Sequence, residues 1–177
     1  MASPDLYRVL DELGPSQIDG VFYRHTGPNR DPLSGFGASQ MGGRWNPPGI
    51  ETVYLARPLE TCRAEFHRMA TGQGSGAESF LPRMVYTIAI TRLVVANLTI
   101  GGALAAVGLS SEALVGPFEP CQRVGDAAST LGFGGVLAPS ASGSGEVLAV
   151  FSRNAHHGEL YVVRSASVED GQWHHLE

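Results

Sequence analysis

The chain has 177 residues, a formal net charge of -5, a pI of about 5.6, 43% hydrophobic residues and a mean hydropathy near zero. This length suits one domain spanning residues 1–177 with a core of its own. The acidic balance argues against nucleic-acid binding, which normally leaves a basic footprint, and no apolar run reaches membrane-spanning length.

The 23 glycines follow no collagen-like period and point to many turns rather than a helix bundle. An α+β chain with a mixed or antiparallel sheet and flanking helices is therefore expected. The first residues show no basic region leading into an apolar core, so no secretory signal is visible. Cys62 and Cys121 are the two cysteines and show no metal-like spacing, which fits a reducing, cytoplasmic compartment.

In chain order, Leu6, Val9, Leu10 and Leu13 make one helical stripe over residues 4–13, with Ser3 as the expected cap and Gly14-Pro15 as the stop. Residues 19–25 alternate as a strand, with Val21, Tyr23 and His25 on one face and Phe22 and Arg24 on the other. Residues 30–46, RDPLSGFGASQMGGRWN, carry glycines, two arginines and a Trp with no helical or strand period. They read as a long loop of fixed shape, because loops of this length in a compact chain are usually functional or disordered and Phe36, Met41 and Trp45 offer apolar anchors.

A short strand is expected over residues 51–56, then a helix from Pro58 whose buried face carries Leu59, Cys62, Phe66, Met69 and Ala70. Glu65 falls at the edge of that face, where a carboxylate can look into a cleft. Residues 83–91 alternate and are rich in β-branched side chains, with residues 93–98 as a second strand or a continuation past a bulge. Residues 101–117 give no clear assignment. A helix over residues 120–131 ends at Gly132, and strands follow in GGVLA, EVLAVFS and ELYVVR.

Phosphate-loop, nucleophile-elbow and zinc-protease motifs are all missing, no carboxylate cluster suits a metal pair, and His156-His157 reads as surface. The polar residues that remain are Arg24, Arg44, Tyr54 and Glu65, with Ser140 far along the chain. As chemistry, they suit a ligand with phosphates and a ribosyl bond. Arginines grip phosphate as a planar charged fork, a phenol ring stacks on a heterocycle, and a lone carboxylate stabilises an oxocarbenium-like centre or holds a ribose hydroxyl.

The run DPLSGFGASQMGGRWNPPG, with YLA at Tyr54, AEF at Glu65, GDAAS at residues 125–129 and LAPS at Ser140, resembles the RES domain family over residues 20–165 or so. Its members are typically toxins of Xre–RES toxin–antitoxin modules. The resemblance implies an ADP-ribosyltransferase-like fold and cleavage of the nicotinamide–ribose bond of NAD, with NAD as substrate and neither cofactor nor metal. It matches Arg44, Tyr54 and Glu65 to the catalytic group, and Arg24, Arg44, Tyr54 and Ser140 to NAD binding.

Two segments depart from the family pattern: Ala128 stands where an aromatic is expected, and the late Asn-Pro-His segment survives only as FSRNAHH. The acceptor of ADP-ribose is left open between water, phosphate and a protein, and a non-catalytic module binding NAD or an antitoxin is a further alternative. For phosphate, a second anion site is needed, with Arg30 or Arg57 as spare arginines. An Xre-like antitoxin is the expected partner, covering the Arg44 and Glu65 cleft.

Overall fold

The computed structural model describes residues 5–170 together with 172, 173 and 176. Helix α1 spans Leu6–Leu13 and is capped by Asp5, whose carboxylate accepts from the Arg8 amide; the expected cap, Ser3, lies outside the described residues. Strand β1 (Ser16–Thr26) follows, then α2 (Phe36–Met41), β2 (Thr52–Arg57), α3 (Leu59–Gly72), β3 (Arg83–Asn97), α4 (Ala103–Ala106), α5 (Glu119–Thr130), β4 (Gly135–Pro139), β5 (Glu146–Phe151) and β6 (Leu160–Val168).

The six strands run in the order β1-β2-β5-β4-β3-β6, and β1 also pairs antiparallel with β3 from Ser16↔Val95 to Thr26↔Met84. Five of them therefore close into a barrel, with β6 laid along the outer end of β3. The sheet is mixed, as expected, because β3 meets β4 in parallel while the other pairings are antiparallel.

Strand alternation sorts the side chains between the barrel interior and two outer layers. Phe22, Val53, Leu55, Ile88, Leu93, Leu137 and Leu148 fill the inside. Outside, α1 and α5 pack with Trp45 and Phe151 over one part of the barrel, and α3 packs through Leu59, Cys62 and Phe66 over another. Tyr54 belongs to the first outer layer, on the strand whose neighbours Val53 and Leu55 point inward.

One expectation is corrected. Residues 30–46 contain a helix, α2, which periodicity missed because it is only six residues long and buries none of its side chains. Of the two readings of residues 93–98, continuation past a bulge holds: Arg83–Asn97 is one strand, with Arg92 at φ 54 and a register shift opposite Ile18/Gly20. Residues 101–117 hold only the four-residue α4 and a 3-10 turn at Ser111–Leu114. Among the described residues, no helix is long and apolar enough to cross a membrane.

Candidate active site

Glu65 lies on α3 on the same face as Arg68, one helical turn on, and between two holders. Ser140 Oγ donates to Glu65 Oε1 at 2.5 Å, and Arg68 Nη1 donates to Oε2 at 3.3 Å. Ser140 sits at the start of the β4–β5 turn, buried at 5% exposure, and its hydroxyl also meets Ser142 Oγ at 2.7 Å. That turn reaches α3 because Gly145, at φ +73, has no side chain; a Cβ there would lie 1.9 Å from Thr61 Oγ1.

Tyr54 faces the same space from β2. Its hydroxyl accepts from the Trp45 amide at 2.8 Å and donates to Asn46 Oδ1 at 2.7 Å. Burial pushes this phenol well above its usual range, against the opposing pull of its bond to the Trp45 amide and of Arg44. The hydroxyl thus serves the loop.

Residues 43–46 are held from several sides. Asn46, fully buried, donates through Nδ2 to the carbonyls of Ala38, Pro47 and Ile50, each at 3.0 Å. From α5, Gln122 Nε2 donates to Gly43 O at 2.9 Å and Asn46 O at 3.1 Å. One turn further, Gly125 lets the helix touch the loop; a Cβ there would stand 1.8 Å from Trp45 O. The GDA motif is therefore a packing requirement of the loop. Arg44, carried by this frame, donates from Nη1 to Ala113 O and Gly116 O, both at 3.1 Å, and its guanidinium stacks 4.5 Å from the Phe118 ring centroid.

Arg44, Trp45, Tyr54, Glu65, Arg68, Pro139, Ala141 and Val147 line one cavity of about 70 Å³. This is smaller than pockets that enclose a small ligand, roughly 300 Å³ and above, and too small for a whole dinucleotide. A wider groove of about 500 Å³ beside Val21, Tyr23, Arg57 and Glu146 holds the spare arginine Arg57 but none of Arg24, Arg44, Tyr54, Glu65 and Ser140.

The structure thus brings Arg44, Tyr54, Glu65 and Ser140 together. It does not bring Arg24 to this cavity: its guanidinium donates to Pro32 O and to Ser34 O at 3.0 Å, and burial lowers its pKa from the usual arginine value. Nor do the spare arginines reach it, since Arg57 pairs with Glu146 at 2.7 Å and Arg30 is exposed. Arg68 was missed by sequence reasoning, although its three-residue spacing from Glu65 was a usable signal. Asn154, from FSRNAHH, is structural and donates to Ser129 O and Phe133 O at 2.7 and 2.8 Å. His156 and His157 are exposed, and among the described residues no three His, Cys, Asp or Glu side chains converge as a metal site requires.

Comparison with known proteins decides the family, since the RES domain profile matches residues 21–174. The chain belongs to the RES domain family. Among RES relatives, the proteins called NAD(+) phosphorylase MbcT from Mycobacterium bovis and Mycobacterium tuberculosis are 36% identical to it over 175 residues, which is 97% of this chain and 94% of theirs. A chain of the M. tuberculosis MbcT-MbcA toxin-antitoxin complex superposes with a TM-score of 0.87 at 36% identity, covering 95% of this RES chain and 94% of its own length.

Proposed function

We propose that this RES protein cleaves the nicotinamide–ribose bond of NAD, passes ADP-ribose to inorganic phosphate, and acts as the toxin of a toxin–antitoxin pair in the cytoplasm. The observation that carries the reading is the convergence of Arg44, Tyr54 and Glu65 on one cavity, with Ser140 bonded to Glu65, in a chain 36% identical to an NAD(+) phosphorylase across nearly its whole length. On this reading, the barrel with its flanking helices is ADP-ribosyltransferase-like.

Bond cleavage leaves positive charge on the ribose as nicotinamide departs neutral. A fixed carboxylate beside C1 and the 2'-hydroxyl stabilises that charge without reorganising during the step. Glu65 is the carboxylate, and Ser140 fixes its orientation through Oε1. The Tyr54 ring is the surface on which nicotinamide stacks, held in place by its own hydroxyl. Arg44 meets the pyrophosphate, with its guanidinium plane set by two carbonyls and Phe118. Arg24 serves NAD by holding residues 32–34 at the mouth of the loop. No metal or cofactor is called for.

The partner is an Xre-like antitoxin that covers this cavity; a relative of known structure is a chain of a toxin–antitoxin complex, and Phe118, 45% exposed against Arg44, puts apolar surface beside the cavity. The net charge of -5 favours leaving any nucleic-acid contact to that partner.

The test incubates the purified protein with NAD, with and without phosphate, and separates the products by chromatography. ADP-ribose 1''-phosphate and nicotinamide are expected with phosphate. Intact NAD in both conditions, or label from NAD appearing only on a protein acceptor, overturns the reading.

A further inference from the structure

Phosphorolysis brings a dianion to a centre already occupied by the Glu65 carboxylate, and two like charges that close repel strongly. A cation must therefore accompany the acceptor. The chain has twelve cationic side chains, all arginine and none lysine, and among the described residues only Arg44 and Arg68 line the cavity. Arg44 is anchored through Nη1 to two backbone carbonyls on the side of residues 113–118. Arg68 is held differently: its bond to Glu65 is long at 3.3 Å, and the two side chains are 37% and 27% exposed. Part-exposed ion pairs of this kind contribute little to stability, so the pair opens easily. When Arg68 leaves, Ser140 still holds the other carboxylate oxygen.

We propose that Arg68 binds the acceptor phosphate and so sets the choice of phosphate over water. The inference rests on the reading of this cavity as an NAD-cleaving site and deepens it. The guanidinium turns from Glu65 Oε2 to two oxygens of hydrogen phosphate, a bidentate geometry that arginine suits. In the step itself, the C1–N bond breaks with its electron pair passing to the pyridine nitrogen, which loses its positive charge. A lone pair on a phosphate oxygen forms the new C1–O bond, and the phosphate proton stays on the product. With water as acceptor, a proton must instead be released to solvent or to a base. Arg68 thus favours the acceptor that needs no proton removal.

The experiment compares wild type, Arg68→Gln, Arg68→Lys and the exposed control Arg63→Gln, with melting curves run on each. The KM for inorganic phosphate at saturating NAD and the ratio of ADP-ribose 1''-phosphate to ADP-ribose are read. Loss of a charge-assisted contact predicts that Arg68→Gln raises the phosphate KM by roughly 10- to 100-fold and shifts product toward ADP-ribose, while the KM for NAD stays within about twofold. Arg68→Lys recovers part of the phosphate KM, and Arg63→Gln matches wild type. An unchanged phosphate KM and product ratio in Arg68→Gln, or an equal fall in both products showing that Arg68 only positions Glu65, overturns the assignment while leaving NAD cleavage standing. If Arg68→Gln does not fold, a phosphate KM in Arg68→Lys equal to wild type overturns it. Wild type that leaves NAD intact overturns the reading of the site as well.

Discussion

Single side chains near the cavity divide between chemistry and support. Tyr54 lines the cavity while its hydroxyl is bonded to Trp45 and Asn46. Cys62, one turn before Phe66 on the buried face of α3, is pushed up to about 12 by burial, with Glu65 adding to the effect, so this thiol stays protonated and inert. His25 is held neutral. Its Nδ1 accepts from Arg83 Nη2 at 2.7 Å, its ring lies 5.2 Å from Phe66, and burial, then Arg83 and Arg24, lower its pKa to about 3.

Because this folded value lies below the unfolded value of about 6.5, the unfolded chain binds the extra proton first as pH falls. Stability is full above pH of about 6.5 and declines toward about 3, with a slope of at most about 1.4 kcal/mol per pH unit from this group. Urea unfolding at pH 7, 6 and 5 is expected to show that decline in wild type. His25→Gln, which keeps an acceptor for Arg83 but does not titrate, is expected to flatten it. Parallel profiles for the two proteins would contradict the buried neutral imidazole.

At the scale of elements, α5 and the loop form one unit through Gln122 and Gly125. Gly125→Ala puts a methyl group where Trp45 O already stands, so helix and loop must separate. A destabilisation of about 1–3 kcal/mol is expected, together with loss of NAD cleavage as Arg44 shifts. Gly37→Ala, on α2 with nothing near its added methyl, is expected to change stability by less than about 0.5 kcal/mol. Denaturant unfolding of both variants checks the pair, and equal stability of the two would contradict the contact.

The long elements were legible in the sequence. Eight-residue α1, fourteen-residue α3 and the strands display their buried faces through side-chain period, and spacing puts Glu65 on the rim of the α3 stripe, a place that solvated flank residues share. Helix α2 did not, having no buried face to mark it. Asn46 and Gln122 could not be found by pattern, because they act on carbonyls that only the folded loop presents. Ser140 stood out only as a polar residue far along the chain until the family resemblance tied it to the others: its distance to Glu65 is set by a turn meeting a helix 75 residues earlier.

For the molecule as a whole, class was readable and closure was not. Alternation shows that β1 and β3 are strands, but nothing local tells that eleven-residue β1 pairs along β3 and shuts the sheet into a barrel. That closure matters to the site, since Tyr54 on β2, Glu65 on α3 and Ser140 beyond β4 meet because the barrel carries β2, β5 and β4 side by side. The central claim is that this meeting point cleaves NAD with Glu65 as the charge-stabilising group. The most direct measurement is nicotinamide release by wild type and Glu65→Gln, each shown to be folded by its melting curve. The account predicts rapid release by wild type and a rate lower by about 100- to 1,000-fold in the variant, the scale of removing one preorganised electrostatic group. Equal release by two equally folded proteins would contradict it.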